Sequence, residues 1–340
     1  MSFVKISPGV CGCGFMGKNH IRNYLKQDNI DFVYVYDVNP EIFKTDDYLK
    51  SIEKHLIVVE SLGELKESAN VISICSPSEY HYDNLVELYD KANFYLVEKP
   101  LFLEGCQYAN FKKDHPQCYN NIKCGYIERY NSVINELIKS LDEVPIYIEF
   151  KRFNPSSKRL VGEIEYDLTI HDLDLLNYIT YNLCRKFEDM CYDISMLESR
   201  CKYENNVVYL IECWLGGDRY LANISTSRNS MKKIRQIYIE TETKTYTANL
   251  LTREIEIISK KENDVYKHDG DIYTEEYETI IKNVNGEEPL YLELKNTIRL
   301  AKIYFGIIRN PTIDICIPMA DDFSVSVFYH EMLGGYYEIE

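Results

Sequence analysis

A chain of 340 residues exceeds one ordinary core, so two domains sharing a cleft are expected. Its formal net charge of −16 would repel a phosphate backbone or an anionic membrane surface, which argues against nucleic acid and membrane as main partners. There is no run of about 18 apolar residues, Met1 to Gly9 lacks the apolar core of a secretory leader, and eleven cysteines without metal spacing suit a reducing compartment, so a cytoplasmic protein is expected.

From Val4 to about Tyr126 short apolar runs alternate with amphipathic stretches, the pattern of βαβ units in a parallel sheet. The runs are Val10 to Gly12, Phe32 to Tyr36, Leu56 to Val59, Val71 to Cys75, Tyr95 to Val97 and Ile122 to Gly125. Helices are expected at Asn19 to Lys26, Ser78 to Lys91 and Leu103 to Lys112, each long enough for a right-handed crossover. Ser7-Pro8-Gly9 intrudes on the first strand, where proline cannot donate to a ladder, so a shortened or kinked strand is expected. From Val144 the chain turns β-rich, at Ile146 to Phe153, Val207 to Leu215, Tyr220 to Thr226, Ile234 to Thr247 and Glu254 to Ser259. A helix is expected at about Tyr166 to Ile179, and two more at Tyr273 to Lys282 and Tyr291 to Ile307. The pattern predicts an α/β domain over residues 1–126, then an α+β domain over 127–340 with a large, mostly antiparallel open sheet. Residues 311–340 are aromatic and acidic and suggest no function.

Gly12-Cys13-Gly14-Phe15-Met16-Gly17 matches G-x-G-x-x-G between a strand and a helix. One glycine makes the tight turn, the second lets the backbone approach a pyrophosphate, and the third lets helix pack on strand. The helix N-terminus supplies the positive end an anion needs. Asp37 ends the next strand about 20 residues on, where an acid accepts hydrogen bonds from the adenosine ribose and repels a 2′-phosphate. The first domain therefore reads as a Rossmann domain, with NAD expected and NADP disfavoured.

Glu98-Lys99-Pro100 follows an apolar run, which places Lys99 at the carboxyl end of a parallel strand, where open α/β sheets take ligands. A partly desolvated lysine there can stabilise alkoxide charge; a snorkelling surface lysine is the plainer alternative. Asp167, His171 and Asp174 stand at i, i+4 and i+7, on one face of an α-helix, with Asp172 pointing elsewhere. An imidazole flanked by carboxylates on an otherwise apolar helix has the arrangement of a tuned general base. The alternatives are a solvated acidic face or a zinc site, and one histidine on one helix gives no full ligand set. No metal is expected.

Taken in order, Gly12-x-Gly14-x-x-Gly17 with His20 close behind, Asp37-Val38-Asn39-Pro40, Ser76-Pro77, Glu98-Lys99-Pro100 and Asp167-x-x-x-His171-x-x-Asp174 resemble the Gfo/Idh/MocA oxidoreductases. The resemblance covers about Lys5 to Tyr178. It implies a dinucleotide site built by Gly12, Gly14, Phe15, Met16, Gly17, Asp37, Ser76, Pro77, Glu98 and Lys99, with Lys99-Pro100 a candidate cis bond. It also implies catalysis at Lys99, His171, Asp167 and Asp174, and a homo-oligomer, dimer or tetramer, joined through the open sheet. Gly125-Tyr126-Ile127-Glu128-Arg129-Tyr130-Asn131 resembles a segment of the nucleotide-sugar 3-dehydrogenase branch, with Ser132 where those relatives usually carry proline. Lys99, Tyr126, Arg129, Arg152, Asp167 and His171 are then the expected substrate contacts, and Arg129, Lys151, Arg152, Lys158 and Arg159 are cations that can meet a diphosphate. The expected activity is NAD-dependent oxidation of a secondary alcohol on a sugar ring, a UDP-linked acetamido sugar first and a free sugar or cyclitol second. A dinucleotide-binding sensor without chemistry is the rival from another class.

Overall fold

The computed structural model describes residues 5–116, 121–155, 164–187, 195–204, 207–217, 219–261, 263–284 and 315–316. Six strands, β1 (Pro8–Cys11), β2 (Val33–Tyr36), β3 (Leu56–Val58), β4 (Val71–Ile74), β5 (Phe94–Val97) and β6 (Ile122–Cys124), form a wholly parallel sheet in the order β3-β2-β1-β4-β5-β6. Between them run α1 (Phe15–Tyr24), the short α2 (Ile42–Thr45) and α3 (Asp47–Ser51), α4 (Leu62–Ser68), α5 (His81–Leu88) and α6 (Gly105–Asp114). The order reverses between β1 and β4, and the crevice at their carboxyl ends is where such sheets take ligands.

Pro8 is tolerated as the first residue of β1, paired with Val71. The Asn70 side chain accepts from the Ser7 amide at 2.7 Å, and the Asn70 amide donates to the Ser7 carbonyl at 2.9 Å, so the strand entry is closed without a donor from proline. Gly9 is needed for close packing, since a Cβ there would lie 2.7 Å from Ala69 Cβ and 2.9 Å from a Leu65 methyl.

The chain then passes through a 3-10 turn (Ile127–Tyr130) and α7 (Ser132–Ser140) into a nine-stranded sheet. Its strands are β7 (Tyr147–Pro155), β8 (Ser195–Glu204), β9 (Val207–Gly216), β10 (Leu221–Ser230), β11 (Ile234–Glu240), β12 (Lys244–Asn249), β13 (Glu254–Ser259), β14 (Asn263–Lys267) and β15 (Ile315–Cys316). They lie in the order β14-β13-β12-β11-β7-β10-β9-β8-β15, antiparallel except for the β7–β10 pair. The stretch Ile234 to Thr247, read as one β segment, is two strands of a hairpin. Its turn is closed where Thr241 and Lys244 exchange backbone and hydroxyl hydrogen bonds. Strands β8, β14 and β15 were not anticipated.

Between β7 and β8, a π-helical turn (Glu165–Thr169) leads into α8 (Ile170–Lys186), which packs its Leu173, Leu176, Ile179 and Leu183 into the core. That core joins Ile148, Phe150 and Ile237 of the large sheet to Ile72, Tyr95 and Val97 of the parallel one. The expected helix at Tyr273 to Lys282 is α9 (Ile272–Val284), and it returns to the first sheet: Tyr277 packs edge-on against Tyr24 of α1, with ring centroids 5.2 Å apart. The expected helix at Tyr291 to Ile307 lies outside the described residues. Among the described residues no helix is long and apolar enough to cross a membrane.

Candidate active site

The glycine turn after β1 has three separable jobs. Gly12 has φ +88°, and a Cβ there would sit 2.6 Å from the Ser76 amide nitrogen, so the turn is pressed onto the loop after β4. At Gly17 a Cβ would lie 1.9 Å from the Gly12 carbonyl oxygen, which locks α1 onto the turn. Gly14 meets nothing within 4 Å, caps α1 without a side chain and leaves open space before the helix N-terminus. That open cradle fits a dinucleotide pyrophosphate. Phe15 is exposed and Met16 half-buried at its rim. Asp37, just after β2, accepts from the Cys13 amide at 2.7 Å through Oδ2 and from the Asn39 amide at 2.9 Å through Oδ1. Its carboxylate is thereby fixed beside the cradle, and each oxygen keeps capacity for a ribose hydroxyl.

The strand-end loops of β4 and β5 are tied together by a residue not singled out from the sequence. His81, buried at the start of α5, places Nδ1 2.8 Å from the Pro100 carbonyl and Nε2 2.8 Å from the Ser76 carbonyl; burial lowers its pKa, so the neutral ring donates to one of the two at a time. Ser76-Pro77 and Lys99-Pro100 are thus held on one clamp, and the Lys99–Pro100 bond is cis. A second buried pair joins His20 Nε2 to Glu98 Oε1 at 2.8 Å. Burial opposes a proton on His20, but Cys75 and Glu98 outweigh it and raise its pKa well above the ordinary value. Burial pushes Glu98 the other way, yet hydrogen bonding and charge from His20 hold its pKa below the usual carboxylate range. The two form an imidazolium–carboxylate pair under the cradle. Gly125 leaves room for it, since a Cβ there would lie 3.3 Å from the Glu98 carboxyl.

Lys99 reaches across the cleft. Its Nζ donates to the Asp167 carbonyl at 3.0 Å, the Tyr166 carbonyl at 3.2 Å and Asp167 Oδ1 at 3.3 Å. Carbonyls become available there because the π turn disturbs the i→i−4 ladder. Arg228 of β10 donates to the other Asp167 oxygen at 3.1 Å. His171 stands one turn on, half-buried, with Nδ1 buried and without a hydrogen-bond partner among the described residues. Burial first, then the charges of Lys99, Arg152 and Arg235, hold its pKa well below the ordinary histidine value. The site therefore presents a neutral imidazole beside an ammonium group, the pairing that proton removal with oxyanion stabilisation requires.

Several sequence expectations are corrected here. The i, i+4, i+7 stripe assumed a plain α-helix. In the π turn Asp167 is wound differently from α8, and it is a third exposed, whereas Asp174 is sealed in the core. Asp174 takes Arg129 in a two-pronged pair, Nε to Oδ2 at 2.7 Å and Nη2 to Oδ1 at 2.5 Å, so its carboxylate braces Arg129 and not the imidazole. Arg129 also lies over the rings of Tyr126 and Tyr178. Arg152 is 1% exposed and held by Asp172 Oδ1 at 2.8 and 3.0 Å and by Glu128 Oε1 at 3.0 Å. Tyr126, Arg129 and Arg152 are thus buried, with both guanidinium groups turned onto carboxylates, and none of the three faces a substrate diphosphate. Lys151 pairs with Glu149 at 2.5 Å, and Lys158 and Arg159 lie outside the described residues. Glu128 and Asp172, read in the sequence only as a motif position and as a residue pointing away, turn out to be the buried counter-charges.

Residues 6–113 match the model of the Gfo/Idh/MocA family, described as an oxidoreductase family with an NAD-binding Rossmann fold. No curated protein sequence matches the chain. Among solved structures it is similar to the UDP-N-acetylglucosamine 3-dehydrogenase GnnA from Acidithiobacillus ferrooxidans, at 18% identity over 89% of this chain and 97% of that one, with a TM-score of 0.75. A dehydrogenase (MviM) from Clostridium difficile superposes at 17% identity over 90% of this chain and 99% of the other, with a TM-score of 0.75. The myo-inositol dehydrogenase from Lactobacillus casei, solved in complex with NAD(H) and myo-inositol, does so at 16% identity over 94% and 98%, with a TM-score of 0.73. At these identities the likeness to solved structures establishes the fold, and the match to the Gfo/Idh/MocA model is confined to residues 6–113, the NAD-binding Rossmann part.

Proposed function

We propose that the chain is an NAD-dependent dehydrogenase that moves a hydride between a secondary alcohol of a sugar and the nicotinamide. The observation that carries the reading is the meeting of Lys99, from the end of β5, with Asp167 and the neutral His171, from the π turn and α8, beside an open glycine cradle. Bound NAD supplies the hydride acceptor. Gly12, Gly14, Phe15, Met16 and Gly17 hold its pyrophosphate, Asp37 its adenosine ribose, and Ser76, Pro77, Glu98 and Lys99 line the way to the nicotinamide end. The substrate hydroxyl lies between Lys99 and His171; His171 takes its proton, and Lys99 stabilises the charge that grows on its oxygen. Asp167 orients Lys99 through its carboxylate and main-chain carbonyl. Asp174 acts at one remove, by bracing Arg129 against the helix that carries His171.

A UDP-linked acetamido sugar is the first choice of substrate, supported by the likeness to GnnA, and a free sugar or cyclitol is the second, supported by the likeness to the inositol dehydrogenase. The sensor reading is disfavoured because Lys99 and His171 are both present and brought together. Copies of the chain associate, in this reading, through the outer face of the large sheet, where the Tyr147 and Tyr238 rings lie tilted to each other with centroids 6.4 Å apart. The test is reduced-nicotinamide absorbance with NAD or NADP and a panel of UDP-sugars, free sugars and cyclitols. Turnover with NAD and at least one sugar supports the proposal; dinucleotide binding without turnover of any panel member transfers it to the sensor reading.

A further inference from the structure

Three neighbouring strands carry a polar row across the inner face of the large sheet. Arg152 of β7 stands in register with Thr226 of β10 on one side and Arg235 of β11 on the other. Two residues further along β7 lies Asn154, on the same face as Arg152; Arg228 follows Thr226 where the β7–β10 register shifts, and Lys233 immediately precedes β11. The Arg228 bond to Asp167 shows that this is the side on which α8 and the catalytic cleft lie. Here Thr226 Oγ1, Asn154 Oδ1, Arg235 Nε and His171 Nδ1 are all buried without a hydrogen-bond partner among the described residues. Such groups are costly to leave unpaired, and four of them beside one cleft mark a place where a polar ligand completes the bonding.

The sign of that ligand follows from the charges. Arg235 gives Nη1 to Glu128 at 2.7 Å, and Glu128 is shared with Arg152. Lys233 is exposed next to Arg235, and repulsion from that guanidinium is the largest influence lowering its proton affinity. The charges acting on His171 are likewise cations: Lys99, Arg152 and Arg235. Against the carboxylates of Asp167, Glu128 and Asp172 stand Lys99, Arg152, Arg228, Lys233 and Arg235, a local excess of cations in a chain of net charge −16 that favours an anion.

We infer that Lys233 and Arg235, with Arg228 beside them, form a subsite for an oxyanion carried by the substrate. The sugar handled at Lys99 and His171 is then a phosphorylated, diphosphate-linked or carboxylate-bearing one. The inference rests on the hydride-transfer reading for its substrate but not for its binding test. It replaces Arg129 and Arg152, which are buried against carboxylates, with Arg228 and Arg235 and with Lys233, two residues before Arg235.

The experiment is titration calorimetry on the full chain saturated with NAD, so that the glycine cradle is filled, using UDP, glucuronate and neutral myo-inositol as probes. UDP, glucuronate or both should bind, more weakly as salt is raised. UDP alone assigns the subsite to phosphate, and glucuronate alone assigns it to carboxylate. Lys233→Gln, on an exposed side chain, should weaken that binding by ~10-fold with an unchanged melting temperature, and Arg235→Gln should weaken it at least as much. Failure of both anions to bind, or equal affinity in wild type and Lys233→Gln, overturns the inference. Anion binding without turnover of any sugar keeps the subsite and retires the hydride-transfer reading; turnover of a neutral sugar without anion binding does the reverse.

Discussion

Replacing Asp174 by alanine should strip a sealed guanidinium of its counter-charge. The Arg129 and Asp174 side chains are 4% and 1% exposed, and their two hydrogen bonds are 2.5 and 2.7 Å long. Water cannot replace the lost bonds at that depth, and the Tyr126 and Tyr178 rings already contact the guanidinium in the intact protein. Breaking one side of such a pair costs about 3–5 kcal/mol, against about 5–15 kcal/mol for the whole stability of a typical fold. Removing both charges together, as Arg129→Met with Asp174→Leu, fills similar volume with apolar atoms and should restore most of the loss. Urea denaturation followed by circular dichroism measures both changes as shifts in midpoint at constant slope. A loss below about 1 kcal/mol in Asp174→Ala, or a double variant no more stable than the single one, refutes the assignment. So would preserved stability with collapsed turnover, the result expected had Asp174 oriented the base.

Asp37→Ser should narrow the preference for NAD over NADP by relieving repulsion of the 2′-phosphate, as read by dissociation constants; equal affinities in the unmodified protein contradict this. Gly14→Val should abolish dinucleotide binding with little loss of stability, because its Cβ enters open space, while Gly17→Ala should cost both, because its Cβ meets the Gly12 carbonyl. The pH dependence follows from His171, whose proton affinity burial and three cations depress. The unfolded chain binds this proton below about pH 6.5 and the folded chain does not. The contribution to stability is therefore present above that pH and lost as pH falls through the folded value. The matching rise in kcat/KM for sugar oxidation should be complete by about pH 6.5, and a His171-dependent inflection at or above it is the contrary result.

The geometry of the glycine turn and its carboxylate was legible because it is local. Gly12, Gly14 and Gly17 act through backbone space within one turn, and Asp37 acts at the end of the next strand. Lys99 was legible for the same reason, as a strand-end residue beside a proline. The rest of the site depends on partners far apart in the chain, which periodicity does not reveal. Arg152 finds Asp172 and Glu128, and Arg129 finds Asp174, only when β7, α8 and the 3-10 turn pack together. From sequence alone these arginines look like free cations. The π turn is the other loss: a helical wheel assumes 3.6 residues per turn, and the change of winding before Ile170 breaks the stripe it draws through Asp167, His171 and Asp174. His81 had a signal, a histidine at the start of the helix that follows Ser76-Pro77, but its two acceptors are visible only in three dimensions.

In the proposed mechanism Lys99 and His171 work on one proton and one oxygen. The direct measurement is turnover of the best sugar with NAD in wild type, Lys99→Ala, His171→Ala and the double variant, with NAD affinity measured alongside. Each single change should lower turnover by ~100-fold or more while NAD still binds, and the double variant should be far less impaired than the product of the two. Near-normal turnover in His171→Ala, or a double variant whose loss equals that product, would contradict the account.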